Sequence, residues 1–287
     1  NSSATEPAAL WGRLDGEGAG VHIAGPGRCE DRWVIELRRV DRSGPILDAG
    51  PRDVIRVEDG TLELLEPAGK VESGVRLWNA RWTGRRDLTD VVRSSGRPIR
   101  YSYVPDGWPI DSYRTMFEVA RREFSSAEMA SAARPFTRRV TGNLRRRGIE
   151  VASITLHTGV SSPEQHEGPM TERFEVGPSA AATINRARAR GNRIVAVGTT
   201  STRAVESAVD GTGVSPIRGW TDLVLSSRSP ATVVDALVTG WHPPEASHLD
   251  LLEAVAGPEA VSRAYGCAHE LGYRSHEFGD SCLLFKG

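Results

Sequence analysis

Apolar positions fall in two textures along the chain. Between residues 10 and about 93 they come in short alternating or continuous runs, Leu10–Leu14, Trp33–Val40, Asp53–Val57, Thr61–Leu65 and Val75–Trp82. Turn formers such as Asp15-Gly16, Gly25-Pro26-Gly27 and Asp59-Gly60 separate them. Period-two patterning broken by such turns predicts closely spaced strands, in a small barrel or sandwich. Trp33, Trp78 and Trp82 lie on these runs, where packing and a base-stacking surface are both open readings.

Beyond residue 94 the period changes. Pro98, Pro105, Gly107 and Pro109 punctuate Tyr101, Tyr103, Trp108 and Tyr113, which predicts an extended connection. A helix is predicted over Thr137–Arg147, stopped by Gly148. Then strand and helix alternate: a strand over Ile149–Leu156, a helix over Ser179–Arg190 closed by Gly191, and a strand over Arg193–Val197. A turn at Thr199–Thr202 and a helix over Arg203–Ala208 follow. Apolar runs at Leu223–Leu225 and Val233–Val238, helices over Ala246–Ala256 and Pro258–Leu271, and a last strand at Cys282–Phe285 complete the pattern. Alternation of this kind predicts an α/β fold with a parallel or mixed sheet. No internal repeat or low-complexity tract interrupts it.

At 287 residues and 39% hydrophobic, the chain can bury a large core. A net charge of -1 gives no global attraction for nucleic acid, so RNA binding would need a local patch. Arg138, Arg139, Arg145, Arg146 and Arg147 crowd one predicted helix and offer such a patch, though a solvated helix face reads the same way. Cys29, Cys267 and Cys282 lack metal-ligand spacing and leave one thiol unpaired, which points to a reduced cytoplasm and to no metal. No apolar run reaches membrane-spanning length, and no membrane partner is expected. The chain starts N-S-S-A-T-E-P-A without Met, as if inside a longer protein.

Candidate chemistry gathers at predicted strand ends. The organising stretch is Ile194–Ala208, I-V-A-V-G-T-T-S-T-R-A-V-E-S-A. In an α/β sheet, the carboxyl end of such a strand and the free N–H groups of the next helix share one crevice. The same hydroxyls would serve as plain helix caps. Leu156-His157-Thr158-Gly159, the run from Asp235 to Glu245, and Phe278-Gly279-Asp280-Ser281 carry further polar groups at strand ends.

Four runs, T-L-H-T-G (155–159), G-N-R-I-V-A-V-G-T-T-S-T-R-A-V-E-S-A (191–208), V-V-D-A-L-V-T-G-W-H-P-P-E-A-S (233–247) and F-G-D-S (278–281), resemble the S-adenosylmethionine:tRNA ribosyltransferase-isomerase family of queuosine biosynthesis. The resemblance covers essentially the whole chain. It implies a large α/β domain (1–9 and 94–287) with an inserted small β-barrel domain (10–93), an N-terminal stretch of the family lying outside this numbering, and S-adenosylmethionine as co-substrate. The implied reaction moves the ribosyl part onto the aminomethyl group of a 7-deazaguanine in tRNA, releasing adenine and methionine and forming epoxyqueuosine. A base would take a proton from the carbon beside the sulfonium, and acids would assist adenine departure. His157, Asp235, His242, Glu245 and Asp280 are then the acid/base candidates. Thr158, Thr199 and Thr200 are the positioning hydroxyls, with Gly159, Gly198, Arg203, Ser131 and Trp241 completing the substrate-binding set.

The chain departs from the family at several points. A-S-A-A-R-P-F (130–136) stands for P-T-A-G-L-H-F, Val160-Ser161-Ser162-Pro163 replaces G-A-G-T-F, and T-G-W-H-P-P replaces T-N-F-H-L-P. In place of H-x-M-H-x-E, Met170 holds a His position and Glu172 the Glu position. These changes leave two alternatives beside tRNA modification: the same chemistry on a small-molecule acceptor, and a non-catalytic S-adenosylmethionine-binding protein. A monomer or weak oligomer is expected.

Overall fold

The computed structural model describes residues 1–29, 31–68, 74–100, 104, 107–161, 169–242 and 248–287. Six strands, β1 (Ala9–Leu14), β2 (Glu17–Pro26), β3 (Arg32–Arg38), β4 (Val54–Val57), β5 (Gly60–Pro67) and β6 (Leu77–Gly84), close into a barrel in the order β1-β2-β3-β6-β5-β4. Alternate residues point inward, so Val21, Ile23, Ile35, Leu37, Ile55, Leu62 and Leu64 are buried in its core. The expected barrel is thus present. β2 has no counterpart among the predicted runs, because Gly18, Gly20 and Gly25 dilute a pattern whose inward positions are Ala19, Val21 and Ile23. Trp78 is buried, Trp33 packs edge-on to Phe124 at 5.6 Å, and Trp82 Nε1 donates to the Arg86 carbonyl, so these indoles are packing groups.

After the barrel, α1 (Leu88–Ser95) starts at Asp87, whose side chain accepts from the Thr89 N–H, and lays Leu88, Val91 and Val92 onto the barrel cluster. Next come α2 (Arg138–Arg146), β7 (Thr155–Leu156), β8 (Glu172–Val176), α3 (Pro178–Ala189), β9 (Val195–Val197) and α4 (Thr199–Ser207). The hairpin β10 (Val209–Asp210) and β11 (Gly213–Val214), then β12 (Ile217–Thr221), β13 (Ala236–Gly240), α5 (His248–Ala256), α6 (Pro258–Glu270) and β14 (Ser281–Phe285) complete the chain. Among the described residues no helix is long and apolar enough to cross a membrane.

Where the pattern predicts a parallel or mixed sheet, the strands outside the barrel are divided among separate small sheets. β12-β8-β7 form an antiparallel sheet, while β14-β13-β9 form a mixed one in which β13 runs parallel to β9 and antiparallel to β14. The strand expected over Ile149–Leu156 shrinks to Thr155–Leu156, since Ile149 lies half exposed beside α2 and only the last two residues meet β8. Leu223–Leu225 forms no strand, and Thr199–Thr202 is the first turn of α4 rather than a separate turn. β8 escapes a reading of polarity because one of its inward positions is a carboxylate, Glu172.

Two buried carboxylates fasten this half of the molecule. Glu206 on α4 accepts from the N–H groups of Thr232, Val233 and Val234 and from the Thr232 hydroxyl, which sets the start of β13. Glu172 is ion-paired with Arg203 of α4 and also accepts from the Gly159 N–H at 3.0 Å. Around them Leu156, Phe174, Ile184, Val234, Leu237 and Leu252 form the second core.

Candidate active site

β9 and β13 run parallel, so their carboxyl ends open on the same side, where α4 begins. Gly198 makes that turn at φ 93°, a conformation that suits glycine, and its N–H donates to the Val238 carbonyl. The 131–133 turn packs against it: a Cβ built on Gly198 would stand 3.5 Å from that of Ala132. Beside this junction is a cleft of ≈ 210 Å³, lined by Ser131, Arg134, Gly240, His276, Glu277 and Asp280 among others.

Three imidazoles pack together at its edge, with His276 on the cleft wall. His242 stacks on His248 with centroids 4.5 Å apart and meets His276 at 4.4 Å. Thr239 Oγ1 lies 3.1 Å from His242 Nε2, and Ser131 Oγ lies 3.2 Å from His276 Nδ1. Burial, reinforced by the neighbouring imidazoles, holds His242 well below the ordinary histidine range. His276 is lowered to about 4 by burial and then by His248, and His248 to about 4 by burial and then by Arg203. All three are therefore neutral at pH 7. Among the described residues no group of three or more His, Cys, Asp or Glu is arranged to hold a metal ion.

Glu277 is the carboxyl of this cleft. It is 6% exposed, its Oε2 is enclosed without a hydrogen-bond partner, and burial pushes it up to about 7 against the pull of Arg134.

A second cleft of ≈ 230 Å³ lies between the barrel and the antiparallel sheet, with His157, Gly159, Glu172 and Arg173 on one wall and Gly25, Arg28 and Val34 on the other. Ser3 Oγ lies 2.8 Å from His157 Nδ1, and Ser126 in turn donates to Ser3. Burial, then the charges of Arg173 and Arg121, lower His157 to about 3, so it too is a neutral imidazole. Glu128 is a further buried carboxyl, close enough to Glu277 and Glu172 to feel both charges. It accepts from the N–H and hydroxyl of Ser161, and burial, added to by Glu277 and Glu172, raises it to about 8.

The expected site residues divide accordingly. Ser131 and Asp280 line the first cleft, His242 and Trp241 are buried at its edge, and Gly198, Thr199 and Thr200 form the adjoining start of α4. Thr200 Oγ1 accepts from the Asn1 side chain at 3.1 Å. Asp280 accepts from the Arg274 N–H at 2.8 Å. Trp241 is held by Tyr265 and Tyr273, and Thr158 Oγ1, Trp241 Nε1 and His242 Nδ1 are buried without partners. His157 and Gly159 line the second cleft. Glu245 lies outside the described residues.

Two residues stand elsewhere. Asp235 is at the opposite end of β13, roughly 16 Å of strand from Gly240, where its carboxylate accepts from the Ile194 N–H at 2.7 Å and joins β9 to β13. Arg203 is buried, with Nε on the Leu223 carbonyl, one terminal nitrogen on Glu172 and the other on the Met170 carbonyl, which makes it a structural tie between α4 and β8. Arg134, His276 and Glu277 are absent from the expected set. The last two immediately precede the F-G-D-S run, and that adjacency is their only sequence signal. Glu128 carried no local signal.

Comparison with known proteins agrees with this architecture of motifs. The profile of a family described as "Queuosine biosynthesis protein" matches residues 1–284. The chain is similar to the S-adenosylmethionine:tRNA ribosyltransferase-isomerase of Moorella thermoacetica, 32% identical over 99% of this chain and 83% of that protein. It is equally similar to the protein of that name from Symbiobacterium thermophilum, 32% identical over the same shares. The solved structure of S-adenosylmethionine tRNA ribosyltransferase from Thermotoga maritima matches at 24% identity and a TM-score of 0.48, covering 99% of this chain and 80% of that one. On the profile match and these relatives, the chain belongs to the queuosine biosynthesis protein family.

Proposed function

We propose that the protein is an S-adenosylmethionine:tRNA ribosyltransferase-isomerase, moving the ribosyl part of S-adenosylmethionine onto a 7-deazaguanine-type acceptor in tRNA and releasing adenine and methionine. Relatives bearing that name across nearly the full chain support the reading. The observation that carries it is the position of His157, a half-buried imidazole on the wall of the second cleft, its ring oriented by Ser3 Oγ at 2.8 Å from Nδ1. Of the acid/base set, His157 and Asp280 are assigned the proton transfers because they face cleft volume. His242 is assigned to positioning His276, and Asp235 to holding the sheet together.

The acceptor side is read from charge. Arg138, Arg139, Arg145, Arg146 and Arg147 are all exposed on α2 and its C-terminal cap, and among the described residues none is in an ion pair. Five unpaired guanidinium groups on a chain of net charge -1 favour a polyanion at that face, and tRNA is the polyanion this activity needs. The test is incubation of the pure protein with S-adenosylmethionine, with and without tRNA carrying the aminomethyl-deazaguanine precursor, followed by mass spectrometry. Adenine and methionine are expected only when both substrates are present; S-adenosylmethionine left intact in every mixture sinks the reading.

A further inference from the structure

The cleft beside the 131–133 turn holds an acid and a base that do not meet. Arg134 donates to the Glu277 backbone carbonyl at 3.4 Å and lies over the Phe278 ring at 4.3 Å. Among the described residues it forms no ion pair, so most of its five N–H donors are unspent. Glu277 is buried, yet no hydrogen bond reaches its Oε2. An enclosed carboxyl without a partner is costly, and a guanidinium left free beside it in the same cleft could have relieved that cost by pairing. Asp280 adds a second carboxylate on the rim, already tied to the Arg274 N–H. The arrangement suits a ligand that brings one anionic and one cationic group on a short frame.

We propose that this cleft binds the α-amino-acid end of the S-adenosyl ligand, with the carboxylate on Arg134 and the ammonium on Glu277. The fork of Arg134 matches a carboxylate in geometry, and an ammonium supplies the donor that Glu277 Oε2 lacks. The proposal rests on the S-adenosylmethionine reading above.

The test is calorimetric titration of the full chain with S-adenosylhomocysteine, which carries the amino-acid end, and with 5′-methylthioadenosine, which lacks it. Wild type is expected to bind both, S-adenosylhomocysteine more tightly. Arg134→Gln and Glu277→Gln are each expected to weaken S-adenosylhomocysteine at least tenfold and to leave methylthioadenosine within twofold. Should Arg134→Gln fail to fold, Arg134→Lys keeps the charge without the fork and is expected to show a smaller loss of the same selectivity. Wild-type binding of both ligands with S-adenosylhomocysteine unaffected by either variant overturns the subsite and leaves the S-adenosylmethionine reading standing. So does equal wild-type affinity for the two. Binding of neither ligand by wild type overturns that reading and the subsite with it.

Discussion

Ser131 Oγ stands 3.2 Å from His276 Nδ1, so the turn after the barrel domain and the segment leading into β14 meet at a hydroxyl–imidazole contact on the cleft wall. The contact orients a ring that is otherwise packed against His242. Ser131→Ala is expected to lower kcat/KM for adenine release about 5- to 20-fold, the loss of one positioning hydrogen bond. Melting should shift by only about 2–4 °C, since the hydroxyl contributes little to the core. Unchanged kinetics would remove Ser131 from the site.

The Glu172–Arg203 pair is buried on both sides, and each residue also binds backbone groups around Gly159, Met170 and Leu223. Glu172→Ala leaves a buried guanidinium without its counter-charge and is expected to destabilise the protein by about 3–5 kcal/mol. The double variant Glu172→Leu/Arg203→Met should recover a good part of that loss, because neither charge then remains to be desolvated. Urea unfolding of the three proteins checks the ordering; a double variant as unstable as the single one would refute it.

Stability should depend on pH in two opposed ways. Glu277 is raised in the folded state from 4.5 to about 7, so its contribution is full below pH 4.5 and is lost as pH rises through 7. Glu277→Gln is therefore expected to gain stability relative to wild type between those pH values, by up to about 3 kcal/mol. His157, His248 and His276 are lowered from 6.5 to about 3 or 4, so the unfolded chain takes up their protons first and stability falls as pH drops below 6.5. Denaturant midpoints of wild type and Glu277→Gln from pH 4 to 8 separate the two contributions. A constant difference between the two proteins across that range would mean that Glu277 titrates normally.

The arginines of α2 should act through phosphate charge. Arg145→Gln, Arg146→Gln and Arg147→Gln together are expected to weaken tRNA binding and to reduce the slope of log K against log salt by up to about 0.9 for each phosphate no longer neutralised. S-adenosylhomocysteine affinity should stay unchanged, since none of these side chains lines either cleft; Arg145 lies on a separate open surface with Gly148 and Thr183. An unaltered salt slope would assign the patch to solvent.

Much of the architecture is local and was legible as such. Period-two runs between Gly and Asp turns located five of the six barrel strands. Thr137, Pro178 and Pro258 stand at the starts of helices because a hydroxyl cap or a residue without an N–H suits the first turn. The strand and helix around Gly198 followed from composition, and the four motif runs identified the family. Sequence therefore determined the elements and the kinship, both of which are written in neighbouring residues.

Tertiary structure decided which of those residues share a cleft. Asp235 and His242 are seven positions apart on one motif run, yet a strand of extended backbone sends one to the β9 junction and the other to the edge of the cleft. Glu277, Glu128 and Arg134 gained their character from burial against segments distant in the chain. A carboxyl's charge state depends on the water and counter-charges removed around it, and those are set by what packs across from it, not by what stands next to it.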